Sequence, residues 1–407
     1  MQRRRLLCCG ALAAAGLFSE LAAATSTAPN GAHALAHQAL DGLDARQLWD
    51  AHCHLLGTGD SGSGCTLHPS LDQWWHPVEY ARKRAILHGA GVPAHAPSVD
   101  RAYVQRLLQL AEGFPPGARW LLYAFEQAHD ASGQACAGGT TFHVPNAYAA
   151  QVAAAHPERF GFVASIHPYR ADALEALEQA LTQGALAIKW LPSSMGIDPA
   201  DPACSPFYER LARSRTQLII HCGDEHAVPG MGRQDFGNPL RVRAALRQGV
   251  RVIVAHCASL GYAEDLDRRS TPKRPAFELF ARLMDEPGWE DLLLGDVSAV
   301  TQVNRSPEVL RTLLTRRDWQ PRLLHGSDHP LPGLAPLVRL PALVRAGLLE
   351  QQQVAGLQAL RAHNPLLFDL ALKRSLRWQD QAFDTAVFHT ARHFASASRR
   401  DTEWRNN

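Results

Sequence analysis

Five residues with metal-ligand side chains stand at or near the ends of short apolar runs between residues 49 and 328. They are His52, His54, His221, His256 and Asp328. Imidazole nitrogens and carboxylate oxygens are the ligands that zinc and similar divalent ions take in catalytic sites, where one coordination position stays open for water. Any one of these runs alone is typical of an ordinary buried strand with a polar tip. Together they predict a catalytic metal centre.

The pair His52 and His54 offers two ligands from one strand. Residues two apart on a strand face the same side, here about 6 to 7 Å apart along the chain direction. Two such imidazoles can chelate one ion. Asp50 shares this face in a regular strand, where it would either support the site or cap the strand start. A lone histidine at a strand end is more often bonded to the backbone, so the argument depends on the joint occurrence.

Lys189 lies on another apolar run, at 185–191, two residues after Ala187, so the two side chains share one face of the strand. It is therefore expected to point into the mouth of the barrel described below. Burial disfavours an ammonium ion and lowers its pKa. Lys189 thus needs a carboxylate partner, or CO₂ must convert it into a carbamate that bridges two metal ions.

Eight apolar runs alternate with helical patterns and predict a parallel TIM (β/α)₈ barrel over residues 48–373. Parallel neighbours need crossovers, and eight strands close such a barrel, whose active site lies at the carboxyl ends of the strands. The predicted strands are 48–54, 120–125, 160–166, 185–191, 217–222, 251–257, 292–298 and 322–328. Helices are predicted at 171–183, 206–213, 240–248 and 307–315.

Two segments extend this barrel. Residues 55–119 form a long insertion between the first and second strands, with predicted helices at 78–88 and 99–112. By topology it lies at the active-site end, as a lid, as a substrate wall, or as a cover for the barrel edge. Residues 374–407 form a polar helical tail, in which Phe383, Val387 and Phe388 can pack on the barrel.

The composition and the N-terminal residues limit the classes of function to be considered. The 407 residues are 46% hydrophobic and 20% charged with a net charge of +2, and no basic stripe indicates nucleic-acid binding. Arginines at 3–5, an apolar run at 6–18 and alanines at 22–24 predict a signal peptide over 1–24. The pattern resembles a twin-arginine signal, with a Sec signal as the alternative, so we expect a periplasmic or secreted protein. No segment approaches transmembrane length. Residues 25–47 are a linker or a leading helix.

The cysteines do not suggest a thiolate metal site, because no CxxC pair occurs. Cys53, Cys222 and Cys257 each adjoin a ligand histidine. Alternation along a strand therefore predicts that they point towards the helix layer as packing residues. The remaining cysteines lie in predicted loops, where an oxidising compartment could pair two of them.

In these residues the chain resembles the amidohydrolase superfamily, within its amidohydrolase-related branch of metal-dependent barrel hydrolases. That branch also contains decarboxylases, lactonases and hydratases. The resemblance covers about residues 48–370. It depends on the motifs Asp50-Ala51-His52-Cys53-His54, Ala187-Ile188-Lys189-Trp190-Leu191-Pro192, Ile220-His221-Cys222-Gly223-Asp224-Glu225, Val254-Ala255-His256-Cys257, Gly326-Ser327-Asp328-His329-Pro330 and Asn364-Pro365-Leu366-Leu367-Phe368.

The resemblance implies a ligand set and a metal. His52, His54, His221 and Asp328 would hold one divalent ion, with zinc the expected metal. A second ion is left open. His256 would be its ligand in a binuclear site, or a proton-transfer and electrophilic residue in a mononuclear one. Lys189 would bridge two ions if carboxylated, but the matching lysine stays unmodified in many single-metal members.

The expected reaction is metal-assisted hydrolysis of an amide, ester or lactone bond in a small molecule. Asp328 would take the proton from water and pass it to the leaving group, and His256 would stabilise the oxyanion. A lyase that uses the same metal, a decarboxylase or hydratase of a carboxylic acid, is the alternative. A non-catalytic periplasmic metal-binding protein is the alternative from another class.

Substrate contacts are expected from the loops that follow the strands. The candidates are His167, Trp190, Glu225 and Arg305, each of which could equally be a solvated loop or helix-cap residue. Arg305 or Arg241 would suit a substrate that carries a carboxylate. The expected partner is a small molecule, without nucleic acid or a membrane span, and a homo-oligomer is left open.

Overall fold

The computed structural model describes residues 28–268 and 272–398. The predicted signal peptide and the end of the C-terminal tail lie outside these residues. Among the helices that are described, none is both long enough and apolar enough to cross a membrane.

Eight parallel strands form the centre of the molecule, and the predicted β/α barrel is confirmed. β1, β2 and β3 pair in one sheet, and β4 to β8 pair in chain order in a second sheet. The strands are β1 Trp49–His54, β2 Arg119–Tyr123, β3 Phe160–Val163, β4 Ala187–Trp190, β5 Gln217–His221, β6 Val252–Ala255, β7 Leu293–Asp296 and β8 Leu323–Leu324.

The two sheets meet at two seams, which close the ring. A parallel bridge between Ala164 and Ile188 joins β3 to β4, and a parallel bridge between Cys53 and His329 joins β1 to the segment after β8. The second seam is reinforced by a backbone hydrogen bond of 2.7 Å from the Asp328 amide to the His52 carbonyl. This closure brings the two ends of the barrel sequence together.

Helices cover the outside of the ring. They are α1 Ala28–Leu40, α2 Pro77–Gly89, α3 Val99–Ala111, α4 Asn146–Ala155, α5 Ala173–Thr182, α6 Pro192–Met195, α7 Ser205–Ser214, α8 Arg243–Arg247, α9 Ala276–Met284, α10 Pro307–Thr315, α11 Leu340–Arg345, α12 Val354–His363, α13 Pro365–Ser375, α14 Thr385–Phe388 and α15 Ala391–Ser398. α10 shows why such segments are helical. Ser306 caps the Glu308 amide, proline takes the first position, and Leu310, Leu313 and Leu314 form its buried face.

Apolar side chains fall into two buried clusters, one inside the ring and one between the ring and the helices. Tyr123, Val163 and Ile219 belong to the inner cluster. Cys53, Cys222 and Cys257 all belong to the outer cluster, as alternation along the strands predicts. All six cysteines in the described residues are free.

Some boundaries differ from the sequence-based expectation. β8 comprises only two residues of the predicted 322–328, and Asp328 takes a positive φ of 60° outside the strand. The predicted helix at 240–248 begins as a 3₁₀ turn at Pro239–Val242 before α8. The segment at 25–47 contains α1, which packs on α12 and α13, so of the two alternatives there the leading helix is present over 28–40.

The C-terminal tail packs on the barrel at two places. Phe383, Val387 and Phe388 are buried in the outer cluster, which confirms their expected packing. Phe394 of α15 lies in the inner cluster and stacks on Trp49, with ring centroids 6.4 Å apart. Since Trp49 begins β1, the tail seals the amino end of the ring, opposite the site described below.

Replacing Phe394 by alanine is expected to lower the free energy of unfolding by about 3 to 5 kcal/mol, because a buried aromatic side chain leaves a cavity. Urea unfolding measures the loss. Leu174→Ala, at a position that is 43% exposed, is the control and should change stability little. A Phe394→Ala protein as stable as this control would contradict the sealing role.

Candidate metal centre

The end of β1 presents two imidazoles to the inside of the ring because the strand is irregular. Its register against β2 shifts between Asp50 and Cys53. Ala51 therefore joins the inner cluster while Cys53 joins the outer one, although the two are an even number apart. The His52 ring lies 4.6 Å from the ring of inward-facing Tyr123.

Asp50 does not share the ligand face, which corrects the expectation from regular alternation. Its carboxylate accepts hydrogen bonds from the backbone amides of His52 at 3.0 Å and Ser327 at 2.8 Å. It thus ties the end of β1 to the segment after β8 from behind.

Asp328 meets the two histidines at the carboxyl edge of the barrel. One of its oxygens, Oδ1, lies 3.1 Å from Nε2 of His54 and 3.6 Å from Nε2 of His52. The ligand atoms of the three residues all lie within 4.8 Å of one another. The approach requires Gly326, because a Cβ there would lie 2.6 Å from Cβ of His52. Two imidazoles and a carboxylate thus converge as the sequence predicts.

The sequence patterns did not single out Asp296, the last residue of β7. One of its oxygens, Oδ2, accepts a hydrogen bond of 2.9 Å from Nδ1 of His52. The other accepts the backbone amides of His256 and Ser298 and the Ser298 hydroxyl. Because Nδ1 of His52 donates to Asp296, Nε2 of the same ring carries the lone pair, which faces Asp328. A carboxylate bound to a ligand histidine in this way fixes the tautomer and the ring orientation.

Asp296 also forms a second group of convergent ligand atoms with His52 and His256. Since Nδ1 of His52 already faces Asp296, the two groups share one imidazole through different nitrogens. The geometry favours an ion at His52, His54 and Asp328, with Asp296 as its support.

His256 and His221 extend the row of imidazoles around the edge. The His256 ring stacks on His52 at 4.8 Å, and the His221 ring lies 5.2 Å from His256. Nδ1 of His256 lies 2.7 Å from Oγ and 3.2 Å from the carbonyl oxygen of Ser298. Since the Ser298 hydroxyl donates to Asp296, Nδ1 is the donor, and Nε2 of His256 presents a lone pair. Within the described residues, His221 is in neither convergent group, and its Nδ1 lies 3.4 Å from Oε2 of Glu225.

Burial keeps these imidazoles neutral. Desolvation lowers the pKa of His52 and His256 well below the ordinary value, and it also lowers the pKa of His221. A neutral imidazole can offer a lone pair to a metal ion without first losing a proton.

Lys189 points into the ring as predicted, but it has no direct partner. Its Nζ is buried without a hydrogen bond and lies 5.2 Å from the Tyr123 ring. Burial lowers the pKa of Lys189 to about 8, against the opposing effect of the Asp296, Asp328 and Glu225 carboxylates. Among the described residues no ion pair includes Lys189, and its carboxylation stays a prediction.

Two of the four expected substrate-binding residues lie near this edge. Burial lowers the pKa of Arg305 to about 10, and the carboxylates that oppose the shift are Asp328 and Glu225. Glu225 holds the loop after β5, where its Oε1 accepts the amides of Ala227 and Val228. Both side chains therefore border the metal ligands.

The other two are occupied by structural contacts. His167 is fully buried, with Nε2 bonded to the Met195 carbonyl at 3.1 Å and Nδ1 to the Tyr169 amide at 3.2 Å. Trp190 donates to the Ile166 carbonyl at 2.8 Å and lies in the outer cluster. Since Lys189 faces inward, its neighbour Trp190 must face the helices.

A family model described as amidohydrolase matches residues 49–362, most of the chain. The chain belongs to the amidohydrolase family. The matched range begins at β1 and ends within α12, so it contains every residue of the candidate centre.

Three solved structures that the chain resembles share little sequence with it. An uncharacterized TIM-barrel protein from Bordetella bronchiseptica is 15% identical over 78% of this chain and 98% of its own, with a TM-score of 0.45. A 5-carboxyvanillate decarboxylase from Sphingomonas paucimobilis is 16% identical over 76% and 95%, with a TM-score of 0.40. A 4-oxalomesaconate hydratase from Rhodopseudomonas palustris is 14% identical over 88% and 99%, with a TM-score of 0.41. No curated protein matches the chain.

Replacing Asp296 by asparagine is expected to weaken zinc binding by about 10- to 100-fold, the usual effect of losing the carboxylate behind a ligand histidine. Competition with a coloured chelator measures the zinc dissociation constant. Asp291→Asn, at an exposed position before β7, is the control. An unchanged zinc affinity in Asp296→Asn would show that Asp296 does not orient His52 for metal.

Proposed function

We propose that the protein is a hydrolase that uses a divalent metal ion to cleave an amide, ester or lactone bond of a small molecule. The observation that carries this proposal is the convergence of three side chains: His52 and His54 from the first strand, and Asp328 from the segment after the last strand. Asp296 fixes the orientation of the His52 ring. Barrel enzymes carry their chemistry at this carboxyl edge.

The residues fit a divalent transition metal. Two imidazoles and a carboxylate are ligands that zinc takes in catalytic sites, and three protein ligands leave a position for water. Zinc is therefore the proposed metal, at one site, with His221 or His256 available as a further ligand. A divalent ion bound there supplies the Lewis acidity that lowers the pKa of water towards about 7.

Side chains of the protein carry out the proposed proton transfer. In the proposed reaction Asp328 takes the proton of the attacking water and returns it to the leaving group. Nδ1–H of His256 is held by Ser298, so the neutral imidazole offers the lone pair of Nε2 as a hydrogen-bond acceptor. This geometry favours an accepting role over the electrophilic role that the resemblance also allowed for His256.

Metal analysis and a substrate panel test the proposal together. The purified protein should contain about one zinc per chain, lose hydrolysis of its best lactone, ester or amide after chelation, and regain it with zinc. Release of CO₂ without uptake of water would replace the hydrolase with the lyase alternative. Stoichiometric metal without turnover of any panel compound would favour the metal-binding alternative.

We also propose export, from the twin-arginine-like pattern at residues 1–24. A processed chain in the periplasm or medium supports this, and an unprocessed chain confined to the cytoplasm contradicts it. A fusion of residues 1–24 to a reporter protein separates the effect of the signal from that of the barrel.

A further inference from the structure

We propose that Arg305 forms a carboxylate-binding subsite beside the metal centre, so that the substrate carries a carboxylate group. This inference rests on the proposed function, because it assigns a substrate class to the same site. It depends on a half-buried arginine, one of whose guanidinium nitrogens is buried and left unbonded by the described residues.

Arg305 bridges two loops at the carboxyl edge of the barrel. It lies between β7, which ends at Asp296, and α10, which begins at Pro307. Its Nε donates a hydrogen bond of 3.0 Å to Oγ of Ser259, in the loop after β6. The guanidinium is thereby tied to the loop after β6, and it lies close enough to Asp328, Glu225 and His221 to interact with them electrostatically.

One end of this guanidinium has no hydrogen-bond partner among the described residues. Nη1 of Arg305 is buried and forms no hydrogen bond, and no ion pair among the described residues includes Arg305. Burial lowers its pKa to about 10, while Asp328 and Glu225 oppose the shift from a distance. Burying an unpaired charge is costly unless a ligand or partner compensates it, so an unpaired guanidinium at a candidate site indicates a site for an anion.

Arg241, the other arginine that the sequence offered for this role, differs in this respect. Its Nη1 lies 2.7 Å from both carboxylate oxygens of Asp198, and its Nε donates to the Asp235 carbonyl at 3.1 Å. It is therefore already neutralised within the protein. The structure assigns the carboxylate subsite to Arg305.

The charges around the site agree with an anionic ligand. Among the described residues that border it, Lys189 and Arg305 are the cations, and Asp296, Asp328 and Glu225 are the carboxylates. A bound divalent ion leaves this group with one excess positive charge. A monocarboxylate balances it, and the planar fork of a guanidinium pairs with both oxygens of a carboxylate.

Paired ligands that differ only in charge test the subsite. Isothermal titration of acetate, benzoate and phenylacetate, each against its amide, measures the preference for carboxylate over amide. At least one acid should bind about tenfold or more tightly than its amide, as expected for a charge-assisted hydrogen bond to a desolvated partner. The titrations use both zinc-loaded and chelator-treated protein, so that binding of the carboxylate to the metal is separated from binding to Arg305.

Arg305→Gln should abolish the preference in the chelator-treated protein, Arg305→Lys should restore part of it, and Arg241→Gln should keep it. Zinc content should be the same in the unsubstituted protein and in the three variants.

A preference that survives in Arg305→Gln, or no preference for any acid in the unsubstituted protein, would overturn the subsite and leave the proposed function standing. Absence of zinc from the unsubstituted protein would instead overturn the proposed function. The unfolding midpoint of Arg305→Gln should equal or exceed that of the unsubstituted protein, since an unpaired buried charge is removed, so a change in binding cannot be ascribed to misfolding.

Discussion

Replacing Asp328 by asparagine is expected to reduce turnover by about 10²- to 10⁴-fold while the protein stays folded and keeps much of its metal. Asparagine has the same shape, and it tolerates the positive φ of 60° at this position. Its amide oxygen can still lie beside Nε2 of His54 as a neutral ligand. An amide cannot take a proton from water, however, and this is the range that general acid–base catalysis contributes.

Steady-state kinetics on the best panel substrate, with zinc measured on the same samples, check this result. The control is Asp235→Asn, which removes a surface carboxylate that pairs with Arg233 far along the loop after β5. If Asp328→Asn turns over at the rate of the control with its zinc retained, Asp328 does not transfer the proton. If it loses both zinc and activity, the loss shows only that Asp328 is a ligand.

The barrel could be predicted from sequence because each strand is a short apolar run between turn residues, and each crossover contains a helical pattern. The seams could not. Only Leu323 and Leu324 of the predicted strand 322–328 pair as β8, and the chain after Leu324 pairs with β1 through irregular backbone. The stacking of Phe394 on Trp49 joins residues from opposite ends of the chain, and no local pattern indicates it.

The candidate site shows where alternation succeeds and where it fails. Alternation along a strand correctly placed the Lys189 side chain inside the ring. Applied to the next residue, it also places the Trp190 side chain outside the ring and away from the carboxyl edge. Alternation failed for Asp50, because the register shift in β1 adds an extra residue to the strand, and no local sequence pattern predicts this shift. Asp296 had a usable signal, a carboxylate at the end of an apolar strand, as costly to bury as Asp328. The predicted strand continued to residue 298, so Asp296 was counted as part of the strand and not as its last residue.

A buried ion pair lies behind the metal centre, on the helix side of the seam between β1 and β8. Nζ of Lys373, on α13, is fully buried and donates to Oδ2 of Asp369 at 2.5 Å and to the Gly326 carbonyl at 2.7 Å. Gly326 stands two residues before Asp328. Lys373 therefore holds the segment that carries the candidate ligand, and it is also the cation that faces the buried Asp50 carboxylate.

Lys373→Met is expected to lower the free energy of unfolding by about 3 to 5 kcal/mol at pH 7, because it removes one partner of a buried ion pair and leaves the Asp369 carboxyl group buried without its cation. Burial already raises the pKa of Asp369 to about 7. A carboxyl group with a raised pKa binds more protons in the folded state than in the unfolded state, so its contribution to stability is lost as pH rises from about 4 to 7. Without Lys373 the pKa rises further. The loss should therefore be smaller at pH 5 than at pH 7.

Urea unfolding at pH 5 and pH 7, followed by tryptophan fluorescence, measures both effects. The matched control is the double variant Asp369→Leu/Lys373→Met, in which neither member of the pair remains charged. It should recover most of the stability, because replacing both partners of a buried ion pair with apolar residues is often neutral. Zinc affinity should fall in the single variant, since the Gly326 carbonyl is released and the position of Asp328 depends on it. A single variant as stable as the unsubstituted protein at pH 7, or a double variant no more stable than the single one, would show that the pair does not hold this seam.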